Sequence, residues 1–133
     1  LEGQKVGVLS IGNPHAVIIL KDIDTEDIKA IATRLQNSNY FPESVNVGFM
    51  QILSRNEINL RVIERGVGET LACGSGACAA VIHGIQLELL EDKVEVHLKG
   101  GKAFVEYNGD TVYLSGPGEF VYEGAVNLRS GTS

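Results

Sequence analysis

The chain is 133 residues long, enough for one domain whose core needs neither disulfides nor a metal to hold it. Hydrophobic residues make up 44% and the mean hydropathy is +0.07, as in an ordinary globule, and no apolar run reaches the length of a membrane span. A net charge of −6 argues against a nucleic-acid surface as partner, and two cysteines are too few for a disulfide framework.

In chain order, Lys5 to Ser10 and Ala16 to Leu20 read as strands around a Gly12-Asn13-Pro14-His15 turn. Asp24 or Thr25 can cap a helix over about Glu26 to Gln36, where Ile28, Ile31, Ala32 and Leu35 fall at i, i+3, i+4 and i+7, one buried face. Asn37 to Ser44, with Pro42, is a loop. Val45 to Leu53 and Glu57 to Glu64 are strands of a hairpin; in the second, Ile58, Leu60 and Val62 alternate with Glu57, Asn59 and Arg61. Ser75 to about Leu90 is a second helix, and its Ala77 to Ile82 stretch is apolar all round, which places it at the centre of the domain.

Four short alternating segments follow: Lys93 to Leu98, Lys102 to Tyr107, Thr111 to Ser115 and Glu119 to Tyr122. Gly100-Gly101 and Asn108-Gly109-Asp110 supply hairpin turns. Residues 129–133 read as a disordered tail, within a single domain over 1–133. The fold class is α/β of the α+β type, with a mixed, antiparallel-rich sheet curled around one central helix.

Chemistry concentrates in Glu64-Arg65-Gly66-Val67-Gly68-Glu69-Thr70-Leu71-Ala72-Cys73-Gly74-Ser75-Gly76. Cys73 stands where a glycine-rich turn enters the second helix, facing unpaired N–H groups and the positive end of the helix dipole. That field favours the thiolate, the reactive form. Worth up to about 2 kcal/mol, it lowers a thiol pKa of about 8.5 by roughly 1.5 units, near the working pH of a general base. The competing reading is a small buried hydrophobe; position and neighbours favour the reactive one.

Cys78 lies within the helix body and reads as packing. If both cysteines share one helix, a rise of about 1.5 Å per residue sets them roughly 7.5 Å apart along its axis, past the usual disulfide reach of about 7 Å. Both are therefore expected as free thiols in a reducing, cytoplasmic compartment. A metal site from Cys73, Cys78 and His83 is disfavoured, because offsets of five do not share a helix face. Gly74-Ser75-Gly76 can offer backbone N–H groups to a carboxylate or phosphate, or be only a tight turn. It lacks the lysine of a Walker loop, and Gly66-Val67-Gly68 lacks the third glycine of a dinucleotide fingerprint.

Other polar residues carry two readings each. Asn13 and His15 serve turn chemistry or, for the histidine, the electrostatics of a nearby thiolate. Asn46 bonds the backbone or faces a ligand. Glu64 and Arg65 form a surface ion pair or border a ligand at the strand end.

Taken together, Ile11-Gly12-Asn13-Pro14-His15-Ala16-Val17, Phe41-Pro42-Glu43-Ser44-Val45-Asn46-Val47-Gly48-Phe49, Arg61-Val62-Ile63-Glu64-Arg65-Gly66 and Ala72-Cys73-Gly74-Ser75-Gly76-Ala77-Cys78-Ala79-Ala80 closely resemble the diaminopimelate epimerase family. The resemblance runs from about Ser10 to Glu123. Proline racemases and phenazine-type isomerases share the fold but not this set of motifs.

The resemblance implies an enzyme that interconverts LL- and meso-diaminopimelate, on the route to lysine and peptidoglycan precursors, with no pyridoxal phosphate, metal or other cofactor. Two lobes each give one cysteine, on opposite sides of the substrate α-carbon. Cys73 is then the acid/base of the C-terminal lobe. Gly74 and Ser75 contact the carboxylate at the reacting centre, and Asn13, Asn46 and Arg65 hold the substrate's carboxylate and amino groups. His15 and Glu64 contact the α-amino group or tune the thiols.

The family's N-terminal lobe, with its Cys-Gly-Asn-Gly motif and second cysteine, is absent from this sequence. Ile11 stands where the family usually has methionine. The chain, whose one methionine is Met50, is thus read as the C-terminal half of a longer protein, inactive alone and partnered by the missing lobe and by a second copy in a homodimer. Two other readings stay open: a carboxylate-binding module without catalysis, and a same-fold racemase or epimerase acting on proline or hydroxyproline.

Overall fold

A computed structural model describes residues 7–11, 13–24, 27–71, 73–116 and 119–125. They form β1 (Gly7–Ile11), β2 (Asn13–Ile19), α1 (Ile28–Gln36), β3 (Asn46–Ser54), β4 (Glu57–Glu64), β5 (Gly68–Thr70), α2 (Gly74–Gln86), β6 (Lys93–Leu98), β7 (Gly101–Tyr107), β8 (Thr111–Gly116) and β9 (Glu119–Ala125). One sheet runs in the order β1-β2-β3-β4-β6-β7-β8-β9, with β5 added on β4.

Parallel pairing occurs where a helix makes the crossover: β2 with β3 across α1, and β4 with β6 across α2. The other pairings are antiparallel. The side of β4 turned away from β3 is shared: β6 pairs with Glu57–Asn59 and β5 with Val62–Glu64. This is the mixed, antiparallel-rich sheet that the alternation predicts.

α2 fills the concave side. Every residue from Gly76 to Gly84 is buried, and the helix contacts β1, β2, β3, β4, β7 and β8. Ala77–Ile82 pack on Val17, Met50, Leu60, Val62, Val96, Val105 and Leu114. α1 covers the opposite face, laying Ile28, Ile31, Ala32 and Leu35 on Ala16, Ile18, Val47, Phe49 and Ile63. β2 and β3 are therefore buried on both faces, which is why Ala16–Ile18 and Val45–Met50 are runs of buried residues rather than alternations. Neither helix is long and apolar enough to cross a membrane, among the described residues.

Four boundaries differ from expectation. The cap of α1 is Asp27, whose Oδ1 accepts from Ala30 N at 3.3 Å. Asp24 lies too far upstream and instead faces Arg61 Nη1 at 3.6 Å; Thr25 and Glu26 are outside the described residues, as is the tail over 129–133. Asn13 to His15 belong to β2 rather than to a turn, paired with Ile11, Ser10 and Leu9.

α2 stops at Gln86 instead of near Leu90. Glu88 adopts φ 62°, and Leu89 N and Leu90 N both donate to Gly84 O, at 2.9 and 3.2 Å. The Leu90 side chain folds onto Gly84, where any Cβ would strike it, so the glycine lets the chain close off the helix. Lastly, β5 is a strand to which the sequence pattern assigns no element: three residues without apolar alternation carry no strand signal.

Candidate active site

Cys73 is the N-cap of α2, in extended conformation (φ −137°, ψ 103°), with its Sγ accepting from Gly76 N at 3.4 Å. A thiol thus takes the place that serine, threonine or aspartate normally fills. Ala77 N bonds Cys73 O at 2.9 Å, which leaves the N–H groups of Gly74 and Ser75 without partners inside the helix. These two donors and the dipole of a thirteen-residue helix lie beside the sulfur of a residue that is only 7% exposed. The turn admits little bulk: a Cβ on Gly76 would sit 3.0 Å from Val62 Cγ2 and 3.1 Å from Cys73 Sγ.

The structure brings Asn13 and His15 to this helix end. His15 Nε2 lies 3.1 Å from Ser75 Oγ and 2.9 Å from Asn13 Oδ1, and Ser75 Oγ lies 3.7 Å from Cys73 Sγ. His15 is 1% exposed, and burial pushes its pKa down to about 4. It is therefore neutral near pH 7 and acts here as a hydrogen-bonding group rather than as a cation facing a thiolate.

Asn46, buried at the start of β3 opposite His15, joins strand ends. Its Oδ1 accepts from Arg65 N at 2.9 Å and its Nδ2 donates to Pro14 O at 3.4 Å. Of the two readings of this residue, backbone bonding is what the geometry displays. Arg65 is exposed and its Nη1 donates to Glu43 O at 2.7 Å. Glu64, half-buried, closes β4, and Val67 N turns back to its carbonyl at 3.3 Å. Glu64 and Arg65 therefore share the β4–β5 hairpin that leads directly into Cys73, with Gly66 and Gly68 at positive φ making the turn.

That hairpin is braced by residues that pattern reading passed over. Arg61 grips Glu69 through Nε–Oε2 at 2.7 Å and Nη2–Oε1 at 2.8 Å, and donates from Nη1 to Ile23 O at 3.1 Å. The guanidinium bonds hold the Glu69 carboxyl below its ordinary pKa. Leu71 O accepts from Gly100 N at 2.8 Å, and Gln36 Nε2 donates to Val45 O and Ile63 O at 3.1 and 3.2 Å. Arg61 and Glu69 lie on one face of adjacent strands, diagonal across the Ile63–Glu69 pair, a relation that exists only once β5 pairs with β4.

Both cysteines are free. Cys78 is fully buried, and burial, helped by repulsion from Cys73, pushes its thiol up to about 12. Among the described residues, the group able to offer three metal-type ligands is Glu57, Glu95 and His97, on the outer face of β4 and β6. It is internally satisfied, with His97 Nε2 at 2.7 Å from Glu57 and 2.9 Å from Glu95.

Residues 7–121 match the protein family described as diaminopimelate epimerase. The chain belongs to the diaminopimelate epimerase family.

It is 54% identical over 129 residues to the diaminopimelate epimerase of Vesicomyosocius okutanii subsp. Calyptogena okutanii, which covers 96% of this chain and 48% of that protein. With the diaminopimelate epimerase of Acinetobacter baumannii (strain AYE) it shares 49% identity over 125 residues, 93% of this chain and 44% of that one. The chain thus spans about half the length of the curated relatives it matches.

Among solved structures it resembles a phenazine biosynthesis protein of the PhzF family from Enterococcus faecalis, with a TM-score of 0.68 at 18% identity, over 84% of this chain and 43% of that one. It also resembles a hydroxyproline epimerase from Agrobacterium vitis, with a TM-score of 0.55 at 16% identity, over 84% of this chain and 41% of that one. At such identities these two show the shared fold alone. Family membership and the geometry meet on one segment, since the matched span contains every residue of the helix end described above.

Proposed function

We propose that this chain is the lobe of a diaminopimelate epimerase that carries one of two acid/base thiols, with Cys73 as the group that exchanges a proton with the substrate α-carbon. The observation that carries the reading is Cys73 as N-cap of a buried helix, its sulfur on Gly76 N–H and two further N–H donors beside it. Abstracting an α-proton moves charge onto the adjacent carboxylate. The N–H groups of Gly74 and Ser75 are the donors to receive it, and exclusion of water strengthens them.

The proton leaves carbon for Cys73 Sγ on one face, and inversion requires a second acid on the opposite face. That second group, a cysteine in the two-thiol reading, lies in a segment outside this chain. Arg65 and Asn13 hold the substrate's polar groups, and Asn46 serves them by fixing the Arg65 backbone. Glu64, at the end of β4, meets the α-amino group.

On this reading the 133 residues alone do not interconvert LL- and meso-diaminopimelate. Solvent deuterium incorporation at the α-carbon, with the two isomers separated chromatographically, checks this. Full interconversion by the isolated chain would sink the two-thiol assignment, whereas binding of proline or hydroxyproline in preference to diaminopimelate would redirect the substrate.

A second expectation concerns assembly. Among the described residues β1 and β9 end the sheet, and an unpaired edge strand offers its backbone to another chain. We propose that β9 pairs with a second copy. Light scattering over a concentration series should show the mass rising toward a dimer; a constant monomer mass at high micromolar concentration would dismiss the proposal.

A further inference from the structure

Ser75 Oγ stands between two polar atoms, 3.1 Å from His15 Nε2 and 3.7 Å from Cys73 Sγ. The direction of these bonds follows from a fourth atom. His15 Nε2 also lies 2.9 Å from Asn13 Oδ1, and an amide oxygen only accepts. A neutral imidazole carries one N–H, so this contact requires the proton on Nε2. That N–H points into a fork made by Asn13 Oδ1 and Ser75 Oγ, and the serine oxygen accepts there. The hydroxyl proton of Ser75 is then left for its other neighbour, the sulfur.

We propose that Ser75 is a positioning residue for Cys73: its O–H donates to Sγ, and His15, itself oriented by Asn13, holds the hydroxyl in that direction. This deepens the reading of Cys73 as the acid/base and rests on it for the catalytic consequence; the hydrogen-bond chain itself rests on the geometry alone.

Two consequences follow. Ser75 divides its labour, with the backbone N–H free for a carboxylate and the side chain committed to the thiol. His15 then acts on the reaction through Ser75, without touching the substrate. With Gly76 N–H, the sulfur receives two donors. Donors to a charged atom favour the charged form, so the pair supports the thiolate before proton abstraction. They also fix where the sulfur lone pair points. A hydroxyl free to rotate would do neither, which gives the buried histidine, sixty residues away in sequence, a specific task.

Two readouts on the 133-residue chain test this without any substrate. The first needs no variant: nitrogen-15 NMR of the His15 ring should show a pyrrole-type Nε2 and a pyridine-type Nδ1. A proton on Nδ1 would overturn the proposal, because Nε2 would then accept from Ser75 and leave no donor for the sulfur.

The second is the alkylation of Cys73 by iodoacetamide near neutral pH in Ser75→Ala. Losing a charge-assisted hydrogen bond costs about tenfold in thiolate fraction. The less stabilised sulfur is the better nucleophile and returns about half of that on a logarithmic scale, for a net slowing of about threefold. Ser75→Thr keeps the hydroxyl and should restore the rate, with the thermal midpoint level across the series. Unchanged Cys73 reactivity in Ser75→Ala would overturn the proposal. A failure here leaves the epimerase reading standing, and loss of that reading leaves these two measurements valid.

Discussion

Acidification from pH 7 to pH 4 is expected to cost the fold about 3 kcal/mol through His15 alone. Burial depresses its folded-state pKa to about 4, against an unfolded value of 6.5. As pH falls, the unfolded chain therefore takes up this proton first, and stability that is complete above about 6.5 drains away until the folded pKa is reached near 4. A gap of about 2.5 units at about 1.4 kcal/mol each gives the figure.

Burial lowers His83 in the same direction, so it adds to the loss as pH falls below about 6.5. Below about 4.5 the Glu69 carboxyl, held ionised by Arg61, begins to lose its own contribution as well. For a domain whose whole stability is of order 5–15 kcal/mol, the sum is large. Urea unfolding at pH 7, 5.5 and 4.5 measures it, and His15→Gln should show a shallower slope. Stability that stays level from pH 7 to pH 4.5 would show that His15 is not held neutral.

The parts of the fold legible in the sequence are those fixed by local period. Ile28, Ile31, Ala32 and Leu35 announce one helical face, and they are the residues that α1 buries. Ala77 to Ile82, apolar on every side, announce a helix surrounded by protein, and the sheet surrounds it. What stayed hidden depends on partners far along the chain. β5 is a strand because β4 offers an edge, and Glu69 is anchored because Arg61 lies across the pair. The end of α2 is set by Leu90 folding onto Gly84, a contact that no helix-stop rule encodes.

The site divides in the same way. Cys73 was legible because a glycine-rich entry to an apolar helix is itself a local pattern. Asn13 and His15 were placed in a turn, and their strand geometry became visible only once β1 and β3 flanked them. Pro14 misled in a physical way: it lacks an N–H, yet it can sit at the start of a strand, before parallel pairing with β3 begins at His15. The link from His15 through Ser75 to Cys73 joins residues about sixty positions apart and has no sequence signature at all.

The second large effect is chemical selectivity between two thiols only five residues apart. Cys73 is expected to react with iodoacetamide at least about a hundredfold faster than Cys78 in the folded chain near pH 8, since the thiolate is the attacking species. Cys78 is fully buried and its thiol is pushed up to about 12, so at pH 8 roughly one molecule in ten thousand carries the reactive charge. The reagent must also reach a sulfur enclosed by the sheet. Cys73, by contrast, caps the helix with its sulfur on Gly76 N–H and keeps a small exposed fraction.

Mass spectrometry of peptides after timed quenching resolves the two sites. In strong urea the helix and its enclosure vanish together, and the two rates should converge, because both thiols then sit in similar solvated chain. That convergence separates a folded-state cause from an intrinsic difference between flanking residues. Equal labelling in the native chain, or faster labelling at Cys78, would mean that the buried helix opens more readily than its packing allows.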